Sequence, residues 1–140
     1  MKSRILFFAI FLLALVSCDS NKTAPKQAEK SDFDAFYARF HKDSLYQMAH
    51  INFPLPGLPE HPDSLSNPGD FRWYKEDWVM HRPIDLSEES GFKREFSVVS
   101  EDLINEKIYH KSGRFFMERR FAKMGKDWYL IYYAAMQAAR

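Results

Sequence analysis

Residues 114–121 read RFFMERRF, a strand-like run in which one glutamate and two arginines sit among phenylalanines and a methionine. Charges placed this way either meet a ligand or meet each other, because a buried charge without a partner is costly. Elsewhere the groups able to move a proton are scattered. His81, Asp85, Glu106 and Glu118 are the candidates for a general acid or base, and none lies in a recognisable motif. His41, His50, His61, His81 and His110 show neither H-x-H nor H-x-x-x-H spacing, so no metal site is expected. A nucleophile elbow and a glycine-rich phosphate loop are both missing from a chain with only five glycines. The expectation is no catalytic residue, no metal and no cofactor.

The charges in RFFMERRF can be sorted by asking what lies across the sheet. From Phe92 onward the chain reads as four strands, FKREFSVV, DLINEKIYH, RFFMERRFAKM and DWYLIYYAAM, divided by SE, KSG and GK. They are rich in aromatic and β-branched residues. A turn of two or four residues between the second and third strands sets Ile108 opposite Met117, Glu106 opposite Arg119 and Ile104 opposite Phe121. The other face then pairs Tyr109 with Phe116, Lys107 with Glu118 and Asn105 with Arg120. A three-residue turn would set Glu106 against Glu118, and like charges across a ladder cost what opposite ones contribute, roughly 0.2–1 kcal/mol. The first register is therefore expected. It leaves Glu106 and Arg119 as an ion pair among apolar side chains, a structural pair or a point of ligand contact. At the next turn, a two-residue Gly125-Lys126 loop would bring Tyr132 beside Arg119, and a three-residue loop Tyr133; both stay open. Arg119, Glu106, Tyr132 and Trp78 are the candidate ligand-binding residues, with Trp73, Tyr74 and Tyr133 as further aromatic surface.

The elements that must position them come first in the chain. Phe33, Phe36, Tyr37 and Phe40 form one apolar stripe of a helix over residues 32–42, with Ser31 or Asp32 as its cap. A short second helix should follow, capped by Asp43 or Ser44, with Ser44-x-x-Gln47 as a capping box and Leu45 and Met48 extending the apolar face. Residues 53–70 hold five of the seven prolines and read as a rigid connector over one end of a sheet, with edge strands near 51–55 and no central strand. Residues 71–79 are ambiguous between strand and helical turn. Helices followed by a run of strands give an α+β class, with N-terminal helices packed on a curved antiparallel sheet. One domain is expected over residues 32–140, its patterned part ending near Ala135.

The start of the chain has a separate purpose. Residues 1–17 combine a basic opening with the apolar run ILFFAIFLLALV, shorter than the ~20 residues of a membrane-spanning helix, and read as a signal peptide. Leu15-Val16-Ser17-Cys18 resembles a lipoprotein processing box. Cys18 is the sole cysteine, so lipidation accounts for a thiol with no disulfide partner. Residues 18–31 contain no large apolar side chain and read as a flexible tether. Removing the leader takes Lys2 and Arg4 and leaves 18 basic against 19 acidic residues, a balance that argues against nucleic-acid binding.

The aromatic helix DFDAFYARFHKDSLYQMAHINFPLP and the ending GRFFMERRFAKMGKDWYLIYY together resemble the lipoproteins of Bacteroidota-type bacteria in the domain-of-unknown-function family numbered 4348. The shared features are the aromatic N-terminal helix, the F-P-L segment and a closing hairpin of the form f-x-x-x-R-F followed by W-y-L-i-Y. The resemblance implies a fold similar to nuclear transport factor 2, a curved sheet under helices that encloses a pocket. It implies no activity, since that fold hosts isomerases, dehydratases, ligand binders and structural domains. The function expected is a non-catalytic binding or interaction domain at the cell envelope. It would be held by a lipid on Cys18 at the outer membrane, facing the periplasm. Its partner would be a small molecule or an envelope protein, and not a nucleic acid. The alternatives are a subunit of an envelope assembly or a pocket enzyme of isomerase or dehydratase type.

Overall fold

The aromatic stripe builds the first element. A computed structural model of the chain describes residues 24–139, with side chains from residue 32 onward. The signal peptide and Cys18 lie outside the described residues. Helix α1 (Ala24–Lys42) begins inside the stretch read as tether, so neither Ser31 nor Asp32 caps it. The sequence AxKQAEK supplies good helix formers, Pro25 sits in the first turn where its missing N–H costs nothing, and propagating a nucleated helix needs no apolar face. Asp43 then caps α2 (Ser44–Ala49), accepting the Tyr46 N–H at 3.0 Å. Leu45 is 83 % exposed and does not extend the apolar face. No described helix is long and apolar enough to cross a membrane.

The sheet has six strands: β1 (Leu55–Leu58), β2 (Arg72–Trp73), β3 (Phe92–Ser100), β4 (Leu103–His110), β5 (Phe115–Met124) and β6 (Asp127–Ala138), in the order β2-β1-β6-β5-β4-β3. It is mixed and not wholly antiparallel, because β1 runs parallel to β6. A proline-bearing strand thus occupies an inner position, contrary to expectation. It is tolerated because β1 changes partner midway: Leu55 and Pro56 pair with β2, and Gly57 and Leu58 pair with β6. A Cβ at Gly57 would stand 1.8 Å from the Tyr133 carbonyl oxygen, so only glycine permits this approach. Residues 71–79 contain both expected conformations, the short β2 and a 3₁₀ turn at Lys75–Asp77.

Between β4 and β5 all six expected pairs are present, Glu106 with Arg119 among them. The β5–β6 hairpin closes with Met124 opposite Asp127, a two-residue turn, and keeps that register to Phe121 opposite Leu130. An irregularity then inserts Ile131, so Arg120 faces Tyr132 and Arg119 faces Tyr133. The core lies between the helices and one sheet face: Phe33, Phe36 and Phe40 pack on Ile104, Phe121, Trp128 and Leu130. Phe40 and Phe121 are fully buried and meet edge to face at 5.8 Å. Each such side chain contributes about 1.5–3 kcal/mol by burial, which fixes α1 over the β4–β5 charges.

Candidate functional site

Strand alternation sends Glu106 and Arg119 to the helix side of the sheet, where they are 0 % and 1 % exposed. Arg119 Nε donates to Glu106 Oε2 at 2.6 Å and Nη2 to Oε1 at 3.1 Å, a two-pronged pair. The stripe on α1 carries polar tips to the same point. The Tyr37 hydroxyl donates to Glu106 Oε1 and accepts from Arg119 Nη2 at 3.2 Å and from Arg94 Nη1 at 3.3 Å. Arg119 Nη1 reaches His41 Nε2 at 2.7 Å and His81 Nδ1 at 3.3 Å. All five guanidinium N–H groups therefore have acceptors, and the tyrosine hydroxyl uses both lone pairs and its proton.

These contacts fix both imidazoles. Arginine only donates, so His41 Nε2 and His81 Nδ1 are acceptors. The His41 Nδ1–H then donates to the Tyr37 carbonyl at 2.9 Å, and the His81 proton sits on Nε2. Burial, and then the Arg119 charge, hold His41 down to about 4 and His81 down to about 2, so both stay neutral. Burial also pushes the Tyr37 phenol up to about 12, with Glu106 adding to the rise and Arg119 opposing it.

His81 is delivered by Gln47, which is 1 % exposed and forms no capping box. Its Nε2 donates to the Phe40 carbonyl at 2.7 Å and the His81 carbonyl at 2.9 Å. Its Oε1 accepts the His81 N–H at 2.8 Å and the Trp78 Nε1–H at 3.2 Å. One amide thus pins residues 78–81 across the helix layer. Beyond that strap opens a cleft of about 570 Å³, walled by Trp73, Trp78, Tyr133 and His81, with Glu60 and Asp77 among its lining. The His81 ring packs 4.4 Å from Tyr133 and 4.5 Å from Trp78. Trp73 Nε1 donates to the Tyr133 carbonyl at 2.9 Å, at the same close approach that Gly57 allows. Tyr37 and His41 line a second groove of about 500 Å³ with Lys42 and Arg82. The Arg119 cluster is the partition between the two.

No protein-family model and no curated protein matches the chain. Among solved structures, it is similar to a cystatin-like protein from Bacteroides caccae, 19 % identical over 73 % of this chain and 74 % of that one, with a TM-score of 0.51. The chain has a cystatin-like fold. A hexachlorocyclohexane dehydrochlorinase from Novosphingobium barchaimii aligns at 9 % identity over 84 % of this chain and 90 % of that one, with a TM-score of 0.48. The association domain of C. elegans CaMKII aligns at 11 % identity over 84 % and 96 %, with a TM-score of 0.40. At such identities the likeness is one of fold, and the cystatin-like fold carries no activity with it.

Of the four candidate ligand contacts, only Trp78 lines the aromatic cleft. Arg119 and Glu106 are paired as expected, yet they are enclosed and leave no guanidinium donor for a ligand. Tyr132 is a correction: the Ile131 insertion turns it to the opposite face, where the Arg120 guanidinium lies 4.3 Å over its ring. Tyr133 takes its place. Asp85 is engaged by the Ser87 N–H and hydroxyl in its own loop, and Glu118 pairs with Arg120 on the far face. Sequence reasoning passed over Tyr37, His41 and Gln47. Tyr37 and His41 are four apart on a helix face that is otherwise phenylalanine, and two polar tips on a core stripe facing a strand arginine were the available signal.

Proposed function

We propose that this cystatin-like domain is a non-catalytic binding module that holds a small organic molecule in the Trp73–Trp78–Tyr133 cleft. One observation carries the reading: the enclosed groups behind the cleft that could move a proton are already committed to one another, and the titratable side chains left in its lining, Glu60, His61 and Asp77, are exposed to water. The lone pairs of His41 and His81 take Arg119 N–H bonds, and both Glu106 oxygens serve Arg119 or Tyr37. A general base needs a free lone pair within reach of a substrate proton. The cleft offers aromatic walls with a few polar groups among them, His81 Nε2–H, His61, Ser64 and the carboxylates of Glu60 and Asp77, which is the composition of a binding site.

The narrower reading extends this one. The domain belongs with the envelope lipoproteins whose aromatic helix and closing hairpin it resembles, and Cys18 carries the lipid that tethers it at the outer membrane. Incorporation of labelled acyl chain into the full-length protein, and its loss in Cys18→Ala, tests the anchor.

The cleft itself is tested by ¹H–¹⁵N spectra of the domain titrated with a chemically mixed fragment set. The three indole N–H resonances form an internal comparison, since Trp73 and Trp78 wall the cleft and Trp128 is 3 % exposed in the core. Ligands should move the first two and leave the third in place. A set in which no member moves Trp73 or Trp78 removes the binding reading.

A further inference from the structure

The polar groups of the cleft are unevenly divided between donors and acceptors. Both indole N–H groups are turned to the protein, Trp73 to the Tyr133 carbonyl and Trp78 to Gln47, so the two rings offer the cleft only carbon surface. The lining includes no lysine or arginine, and the Arg119 behind His81 has no donor left. Against this stand two exposed carboxylates, Glu60 and Asp77, neither in an ion pair among the described residues. Glu60 acts on the Tyr133 phenol, adding to the upward push that burial gives it, so its charge is felt at the aromatic wall. An anion would meet two like charges and neither a lysine nor an arginine, with His61 the one other exposed basic side chain in the lining. A sugar's hydroxyls could donate to these carboxylates, but a neutral ligand would leave both negative charges uncompensated. A positive charge on an apolar body satisfies both features, since ring faces attract cations and the carboxylates neutralise them.

We propose that the cleft takes a small organic cation, an alkylammonium or quaternary ammonium head carried on an apolar body. This rests on reading the cleft as a binding site. Trp73, Trp78 and Tyr133 hold the apolar body and the near side of the charge, and Glu60 and Asp77 close over it from the rim.

Choline and its uncharged carbon isostere 3,3-dimethylbutan-1-ol form the test, titrated into the ¹⁵N-labelled domain with the Trp73 and Trp78 indole resonances as readout. Choline should bind at least about tenfold more tightly, and its affinity should fall with added salt as exposed charges are screened. The double variant Glu60→Gln, Asp77→Asn changes two exposed side chains and should leave the fold intact. It should cut choline binding by about tenfold and leave the isostere unchanged. Equal binding of the two probes, or cleft shifts caused only by neutral or anionic fragments, overturns the cation and leaves the binding module standing. Silence of both indole resonances to every compound overturns both.

Discussion

Arg119 and Arg120 are neighbours on β5, and strand alternation places them in different physical settings. Arg119 points under the helices, 1 % exposed, and its donors are spent on Glu106, Tyr37, His41 and His81. Arg120 points to the open face, where its side chain is 43 % exposed, bonds Glu118 at 2.7 Å and stacks over Tyr132. The first organises three elements, α1, β4 and the strap that carries His81. The second joins residues already adjacent on one strand and its neighbour. Chemical identity thus says little about what an arginine does here. Enclosure and the number of elements it joins decide.

The widest separation between them should come from Arg119→Met. It strands the Glu106 carboxylate in the core and removes the donor shared by two imidazoles, for an expected loss of about 3–5 kcal/mol. Urea denaturation of the domain measures it. Adding Glu106→Leu should recover much of that loss, because a buried ion pair replaced by apolar side chains is often near neutral. Failure to recover would mean that Tyr37, His41 and His81 need the guanidinium more than Glu106 does, and would make Arg119 the hub of a network and not half of a pair.

Gln47→Leu should rank next. It leaves buried backbone groups of Phe40 and His81 and the Trp78 N–H without partners, which costs about 2–3 kcal/mol. Because Gln47 holds the wall of the cleft, the same variant should move the Trp78 indole resonance. A stability loss with that resonance unmoved would detach the cleft from the helix layer.

The enclosed side of β5 also carries a pH dependence, set first by burial and then by the Arg119 charge. His41 titrates at about 4 in the folded protein against an ordinary 6.5, so between those values the unfolded chain takes up a proton that the folded chain refuses. Stability is therefore full above the ordinary value and falls as pH drops toward 4, by up to about 1.4 kcal/mol per pH unit. His81, held down to about 2, adds to the slope and carries the loss to lower pH. Urea midpoints between about pH 7 and about pH 4.5 should show the decline, and His41→Leu should remove roughly half of its slope.

The Glu106–Arg119 pair was legible in the sequence because two independent signals agreed, the apolar alternation and the opposite charges across a single turn. Tyr133 was not. The β6 sequence DWYLIYYAAM contains no glycine or proline to mark the extra residue at Ile131, and that insertion exchanges the faces of the side chains after it, up to a second irregularity opposite Phe116–Glu118. The inner position of β1 was hidden for a related reason: Pro56 excludes a strand bonded on both sides, and sequence gives no sign that the strand changes partner at Gly57. Gln47 was assigned to a local cap because its true partners, Trp78 and His81, lie more than thirty residues further along. Local rules see local acceptors. The lower helical limit at Ala24 escaped because a polar, alanine-rich stretch reads alike as tether and as the frayed end of a helix.

The smallest effect should come from the open face. Arg120→Ala breaks an exposed ion pair and a stacking contact, and its cost should stay below about 1 kcal/mol, with the coupling to Glu118 shrinking further in molar salt. A double-mutant cycle on Arg120 and Glu118 measures that coupling beside the matching cycle on Arg119 and Glu106. The buried cycle should be several-fold larger and indifferent to salt. Equal coupling on the two faces would mean that the open face is itself covered in the folded protein. A partner or a second copy would then enclose Arg120, and the difference between the neighbours would vanish for a reason that light scattering on the same samples can detect.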